Sequence, residues 1–160
     1  MEENSAKSQL EKIDAVLDEY ENKIGLPSFQ LDQNELSSYM NMSREVMERL
    51  TPMQCCVAAD YLISAAFHFQ KMKNREDARV IWAEGQMNRS ATGRMSQYSV
   101  GSFNQNFMAA VLDDQYTLKL FDIKQYASQR SKRIDYLPNI LRDKAECFKT
   151  MARTKENKYG

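Results

Sequence analysis

The chain is poor in the residues that specialised chemistry requires. One histidine, three cysteines, five glycines and three prolines are spread over 160 residues. A Ser-His-Asp triad would have to be built on His68, which lies between Phe67 and Phe69 in an apolar stretch, where a packed imidazole is the simpler reading. Cys55 and Cys56 are adjacent and Cys147 stands far from both. That spacing makes neither a disulfide framework nor a zinc site, and it fits reduced, buried thiols; a soft-metal or oxidant-sensing role for the vicinal pair is the alternative. The glycines at 25, 85, 93, 101 and 160 form neither G-x-G-x-x-G nor a P-loop, so the phosphate cradles of dinucleotide and triphosphate enzymes are missing. Asp113 and Asp114 read more simply as a helix cap than as an acid/base couple. The expectation is a non-enzymatic protein with no cofactor and no metal.

Long hydrophobic runs are lacking too. The weakly charged stretch Met53 to Phe69 contains Asp60 and His68 and falls short of the ~20 residues of a membrane span. The opening MEENSAKSQLEK has neither a basic n-region nor an apolar h-region, so no signal peptide is expected and the chain is placed in the cytoplasm. No period of 20 to 50 residues repeats, and no alternating strand segment is bounded by turn dipeptides. An apolar fraction of 42% beside 28% charged residues, with a mean hydropathy of −0.65, describes a folded chain of one domain's length.

Net charge is absent only in total, since 22 basic residues balance 22 acidic ones. Residues 1 to 50 carry 11 acids and 5 bases, whereas residues 51 to 160 carry 11 acids and 17 bases. An acidic N-terminal part is joined to a basic remainder, which points toward an anionic partner for the latter.

The apolar spacing is helical almost throughout. Leu10, Ile13, Leu17, Tyr20 and Ile24 form one stripe between about Ser5 and Ile24, and Gly25-Leu26-Pro27 stops it. Residues 28 to 34 read as a loop, followed by short helices from about Asn34 and from Ser43 to Leu50, with Glu45 and Arg49 as an i, i+4 pair. Thr51-Pro52-Met53-Gln54 is a capping box ahead of a long helix reaching about Met87. Residues 88 to 106 read as a flexible connection. From Tyr116, the positions Leu120, Ile123, Ala127, Arg130, Ile134, Leu137 and Leu141 step by four and three, a seam that Pro138 should kink or break. The basic tail from Thr150 is expected to fray. The fold class is all-α: a small bundle of long helices with a C-terminal oligomerisation helix. An acidic helical arm (1–27) and a helical body (28–160) are the expected parts.

Cations with aromatic neighbours mark a candidate nucleic-acid surface. Lys71, Lys73, Arg75 and Arg79 follow helical spacing, Arg89, Arg94 and Tyr98 lie in or beside the Gly/Ser-containing connection, and Arg130, Lys132 and Arg133 cluster further on. Tyr116, Leu120, Ile123, Ile134, Leu137 and Leu141 are the candidate oligomer contacts, since knobs on one such seam need holes on another.

The segment Ala59 to Tyr98, containing YLISAAFHFQKMKNREDARVIWAEGQMNRSATGRMSQY, resembles the long helix of the UvsY recombination mediators of T-even-like phages. An apolar, aromatic stretch leads there through E-x-x-R-x-x-A-like charges, here Glu76, Arg79, Ala83 and Glu84, into a basic motif whose end falls at Arg94, Met95 and Tyr98. The stretch from Val111 to Thr154 resembles that family's C-terminal pair of short helices. The chain departs from the pattern in having RSATGR in place of a lysine run, in Pro138 and in its acidic N-terminal extension. The resemblance implies a helical homo-oligomer joined through C-terminal helices. It further implies that the protein binds single-stranded DNA and helps a RecA-like recombinase displace the single-strand-binding protein. A second reading of the same residues is a helical protein interaction module, a phage adaptor or inhibitor, without nucleic-acid binding. A third, a small helical enzyme, would need His68 in an open pocket.

Overall fold

The computed structural model describes residues 3–98 and 101–159, and the fold is all-α, with no strand among the described residues. The helices are α1 (Glu3–Lys23), α2 (Gln33–Met40), α3 (Arg44–Arg49), α4 (Pro52–Thr92), α5 (Phe103–Leu112), α6 (Gln115–Ile134) and α7 (Leu137–Tyr159), with a 3₁₀ turn at Met95–Gln97.

Side chains set most of the helix starts, because the first N–H groups of a helix have no internal acceptor. Asp32 accepts from Asn34 and Glu35 at α2, and Ser43 accepts from Val46 at α3. At α4 the Thr51 hydroxyl accepts from the Gln54 N–H at 3.2 Å while the Gln54 side chain accepts from the Thr51 N–H at 2.8 Å. The expected capping box is therefore formed. Asp114 performs the same service at α6, its Oδ2 accepting from the Thr117 N–H at 3.0 Å.

Helix ends follow equally local rules. Gly25 adopts φ 68°, the left-handed region in which a Cβ is strained, while its N–H bonds Asn22 O and that of Leu26 bonds Glu21 O. This is a Schellman stop for α1. Pro138 has no N–H to give to Ile134, the last residue of α6, and it is accommodated in the first turn of α7, whose ladder restarts with Ile140 N–H to Tyr136 O at 3.2 Å. The seam from Tyr116 thus breaks and restarts as its proline dictates.

Three expectations need correction. The connection read over 88 to 106 is shorter: α4 runs on to Thr92, and α5 starts at Phe103 behind a second capping box, Ser102 with Gln105; residues 99 and 100 lie outside the described residues. The tail from Thr150 does not fray before Tyr159, because Met151 and Ala152 pack into a core and Lys155 donates its ammonium protons to the carbonyls of Met47 and Leu50. In α3 the ion pair found among the described residues is Arg44 with Glu48 at 3.0 Å, where the spacing suggests Glu45 with Arg49.

The chain divides into two compact units, each assembled from two separated stretches: Met1–Leu26 with Asn74–Lys132, and Pro27–Lys73 with Arg133–Gly160. The residues expected as an arm, all but Pro27, belong to the first unit, and the expected body is shared by both. In the first unit Ala6, Met87, Ala91, Ala110, Val111 and Leu120 form the buried cluster, edged by Trp82, Phe107, Tyr116 and Phe121. In the second, α4 presents Cys55, Ala58, Ala59, Leu62, Ala65 and Ala66 to Leu141, Ala145, Phe148 and Ala152 of α7. Small residues on both helices permit close approach, and Phe148 fills the space they leave. Among the described residues no helix is long and apolar enough to cross a membrane.

Candidate nucleic-acid interface

Within the first unit, cations from distant parts of the chain converge on one carboxylate. Glu76, on α4 and only 8% exposed, receives Arg79 Nη1 at 2.8 Å from the next turn and lies 3.0 Å from Arg130 Nη2 of α6. The Oε2 facing Arg130 is at ion-pair distance but has no aligned hydrogen bond among the described residues. Next to Arg130 on α6, Ser131 donates to Asp77 and so fixes α6 beside α4.

The acidic helix α1 covers Arg79 and its neighbour Arg75. Arg79 meets Asp14 as a fork, Nε to Oδ1 at 3.0 Å and Nη2 to Oδ2 at 2.9 Å. Arg75 meets Glu21 in the same two-bond geometry, both contacts at 3.0 Å, and its Nη2 also donates to Asp18. Asp14 pairs upstream on α1 with the later arginine and Glu21 with the earlier one, so the two helices run antiparallel. Such forks are among the stronger ion pairs because two parallel bonds fix one orientation. Hydrogen bonds donated to Glu21 and Asp18 push the Arg75 guanidinium pKa above its ordinary value, and the bond to Asp14 does the same for Arg79. Neither group can move a proton near neutral pH. Both serve as fixed positive charges held against carboxylates.

The remaining sequence-nominated residues fall in several places. Arg89 is exposed on α4, lying back over Gly85 at 3.8 Å from where a Cβ would stand. Lys132 is exposed at the end of the first unit's share of α6. Arg94 is tied to Asp114 at 3.3 Å and to the Thr117 hydroxyl at 3.2 Å, and the Tyr98 hydroxyl donates to Asp113. That bond raises the Tyr98 pKa, and the pair staples the connection to the start of α6. Lys71, Lys73 and Arg133 belong to the second unit, where Lys73 meets Asp135 at 3.5 Å and Arg133 is exposed. Of the seam positions, Leu120 and Leu141 are buried inside their own units, Tyr116 donates to Gln9 at 2.9 Å, and Ile123, Ile134 and Leu137 are half-buried. His68 is half-buried with its ring 6.2 Å from that of Phe29.

No family model, curated protein or solved structure matches this chain.

Two features of the site escape the sequence reading. Asp14, Asp18 and Glu21 recur at steps of four and three, one acidic stripe matched to the i, i+4 pair Arg75 and Arg79; the spacing was visible, its partner was not. Tyr126 is the second. It is 61% exposed on α6, one turn before Arg130, and it offers the open ring that Tyr98 does not.

Proposed function

We propose that the protein is a non-enzymatic, cytoplasmic recombination mediator that binds single-stranded DNA and helps load a RecA-like recombinase. One observation carries this reading: Arg75, Arg79 and Arg130 gather in one unit that also bears the exposed cations Arg89 and Lys132 and the exposed ring of Tyr126. Cations beside aromatic platforms hold single strands without reading sequence. The resemblance of residues 59 to 98 and 111 to 154 to the UvsY mediators supplies the recombination context, with recombinase, single-strand-binding protein and further copies of the chain as partners.

Magnitudes bound what this surface delivers. Two or three accessible cations release counterions with a slope of about −0.7 per phosphate, so affinity for a single strand should fall only about tenfold between 50 and 200 mM salt. The test is fluorescence anisotropy of a labelled oligothymidylate across that range, with light scattering for self-association. Arg89→Ala with Lys132→Ala should weaken binding whatever the base sequence, and no binding by the wild type at low salt sinks the reading.

The interaction-module reading also has an observation in its favour. In the second unit Met53, Val57, Ile63 and Phe67 stand exposed along one side of α4, within an arc of about 120° at ~100° per residue. An apolar strip of this kind suits a partner helix. It predicts that Val57→Asp with Phe67→Asp abolishes partner capture while oligothymidylate binding is unchanged.

A further inference from the structure

We infer that α1 is a displaceable acidic lid, an internal competitor that occupies the phosphate-binding arginines of α4 until a nucleic-acid strand takes its place. The inference rests on the single-strand-binding reading above and adds regulation of that surface.

The cations under the lid continue the open track. At ~100° per residue Arg75, Arg79 and Arg89 lie within an arc of about 80° on α4, spread over about 21 Å of its length. Arg89 is exposed, whereas Arg75 and Arg79 are held by Glu21, Asp18 and Asp14. With α1 in place, the set formed by Arg75, Arg79, Arg130, Glu76 and these three carboxylates carries one net negative charge. Without α1 the same locus carries two net positive charges. The carboxylates of α1 thus stand where phosphate oxygens would sit, in the forked geometry that guanidinium groups use for both anions.

The lid is attached mainly by charge. Ala6 is its one buried apolar side chain among the described residues; Leu10, Ile13 and Leu17 are half-buried, and Val16, Tyr20 and Ile24 are exposed. An element with so little buried apolar surface is held chiefly by ion pairs, which a competing polyanion can replace, and the Gly25 turn is a local hinge about which it can swing. A strand that binds Arg89 and Lys132 first is held next to the lid at a high effective concentration, and its phosphates then compete with Asp14, Asp18 and Glu21.

The experiment compares two full-length variants of equal net charge, D14N/E21Q and E11Q/E19Q. The first removes the forked partners of Arg79 and Arg75; the second neutralises two exposed carboxylates of the same helix. Both are titrated with labelled oligothymidylate at 50 and 200 mM salt. D14N/E21Q should steepen the salt slope by about 1.4, the release expected for two more phosphates on a single strand. E11Q/E19Q should leave the slope unchanged, and adding R75Q/R79Q should cancel the gain. Equal slopes in the two variants overturn the lid and leave the single-strand-binding reading standing, whereas no binding by any form, wild type included, overturns both. If D14N/E21Q does not fold by circular dichroism, amide hydrogen exchange of the wild-type chain decides. Faster exchange across residues 6 to 24 with oligothymidylate bound supports the lid, and unchanged or slower exchange overturns it.

Discussion

Phe148 shows how one side chain decides whether a core exists. It is fully buried against alanines of α4 and α7, so Phe148→Ala leaves a hole that backbone cannot fill, and the expected cost is about 3–5 kcal/mol, read from denaturant midpoints. The vicinal cysteines separate just as sharply: Cys55 is buried and burial raises its thiol pKa, whereas Cys56 and Cys147 are exposed. A thiol reagent should modify Cys56 and Cys147 in the native protein and reach Cys55 only on unfolding. Asp114 gives a pH signature. The Thr117 N–H, then the charge of Arg94, hold its carboxyl below the usual range against an opposing desolvation. Its contribution is therefore present above the unfolded carboxylate pKa of about 3.9 and is lost as the pH falls through the lower folded value. Asp114→Ala should cost about 1 kcal/mol at pH 7, the worth of a helix cap, and the difference from wild type should shrink in thermal melts taken below about pH 4. These residues also mark what the sequence discloses. Asp114 was legible as a cap because capping is local, but that Arg94 and Tyr98 would staple the loop to Asp114 and Asp113 was not, since nothing in their spacing names a partner 15 or more residues away.

At the scale of elements, the starts and stops were the most readable parts of the chain. Thr51-Pro52-Met53-Gln54, Gly25 and Pro138 each act through backbone groups within five residues, so their effects could be stated from the text alone. The second capping box at Ser102 and Gln105 had the same kind of signature and was hidden by the surrounding glycines and serines, which read as a loop. α1 was the least legible helix. Its regular stripe was legible as a stripe, but it was not legible that Leu10, Ile13 and Leu17 would be half-buried, that Tyr20 and Ile24 would be exposed, and that an acidic stripe beside it would pair with arginines of α4. A Gly25→Ala substitution should strain the end of this helix by about 1–2 kcal/mol, the left-handed penalty for an L-residue. Circular dichroism melts measure that loss, and Gly25→Asn should lose less, because asparagine tolerates that region.

At the scale of the whole chain, stability should be unevenly shared. Amides of Leu62 to Ala66 and of Ala145 to Phe148, inside the second unit's core, should be among the slowest to exchange with solvent, and those of α1 the fastest within helices. The helical class followed from periodicity, but the grouping of residues 1–26 with 74–132 did not, because it depends on side chains far apart in sequence. That grouping has a consequence for the order of events during synthesis. Asp14 is made 65 residues before Arg79, and the second unit lacks α7 until residues 137–159 have emerged. Neither core can close early. α1 must wait for Arg75 and Arg79 before its carboxylates have partners, and the helices of the first unit become a closed unit only after α6 is complete.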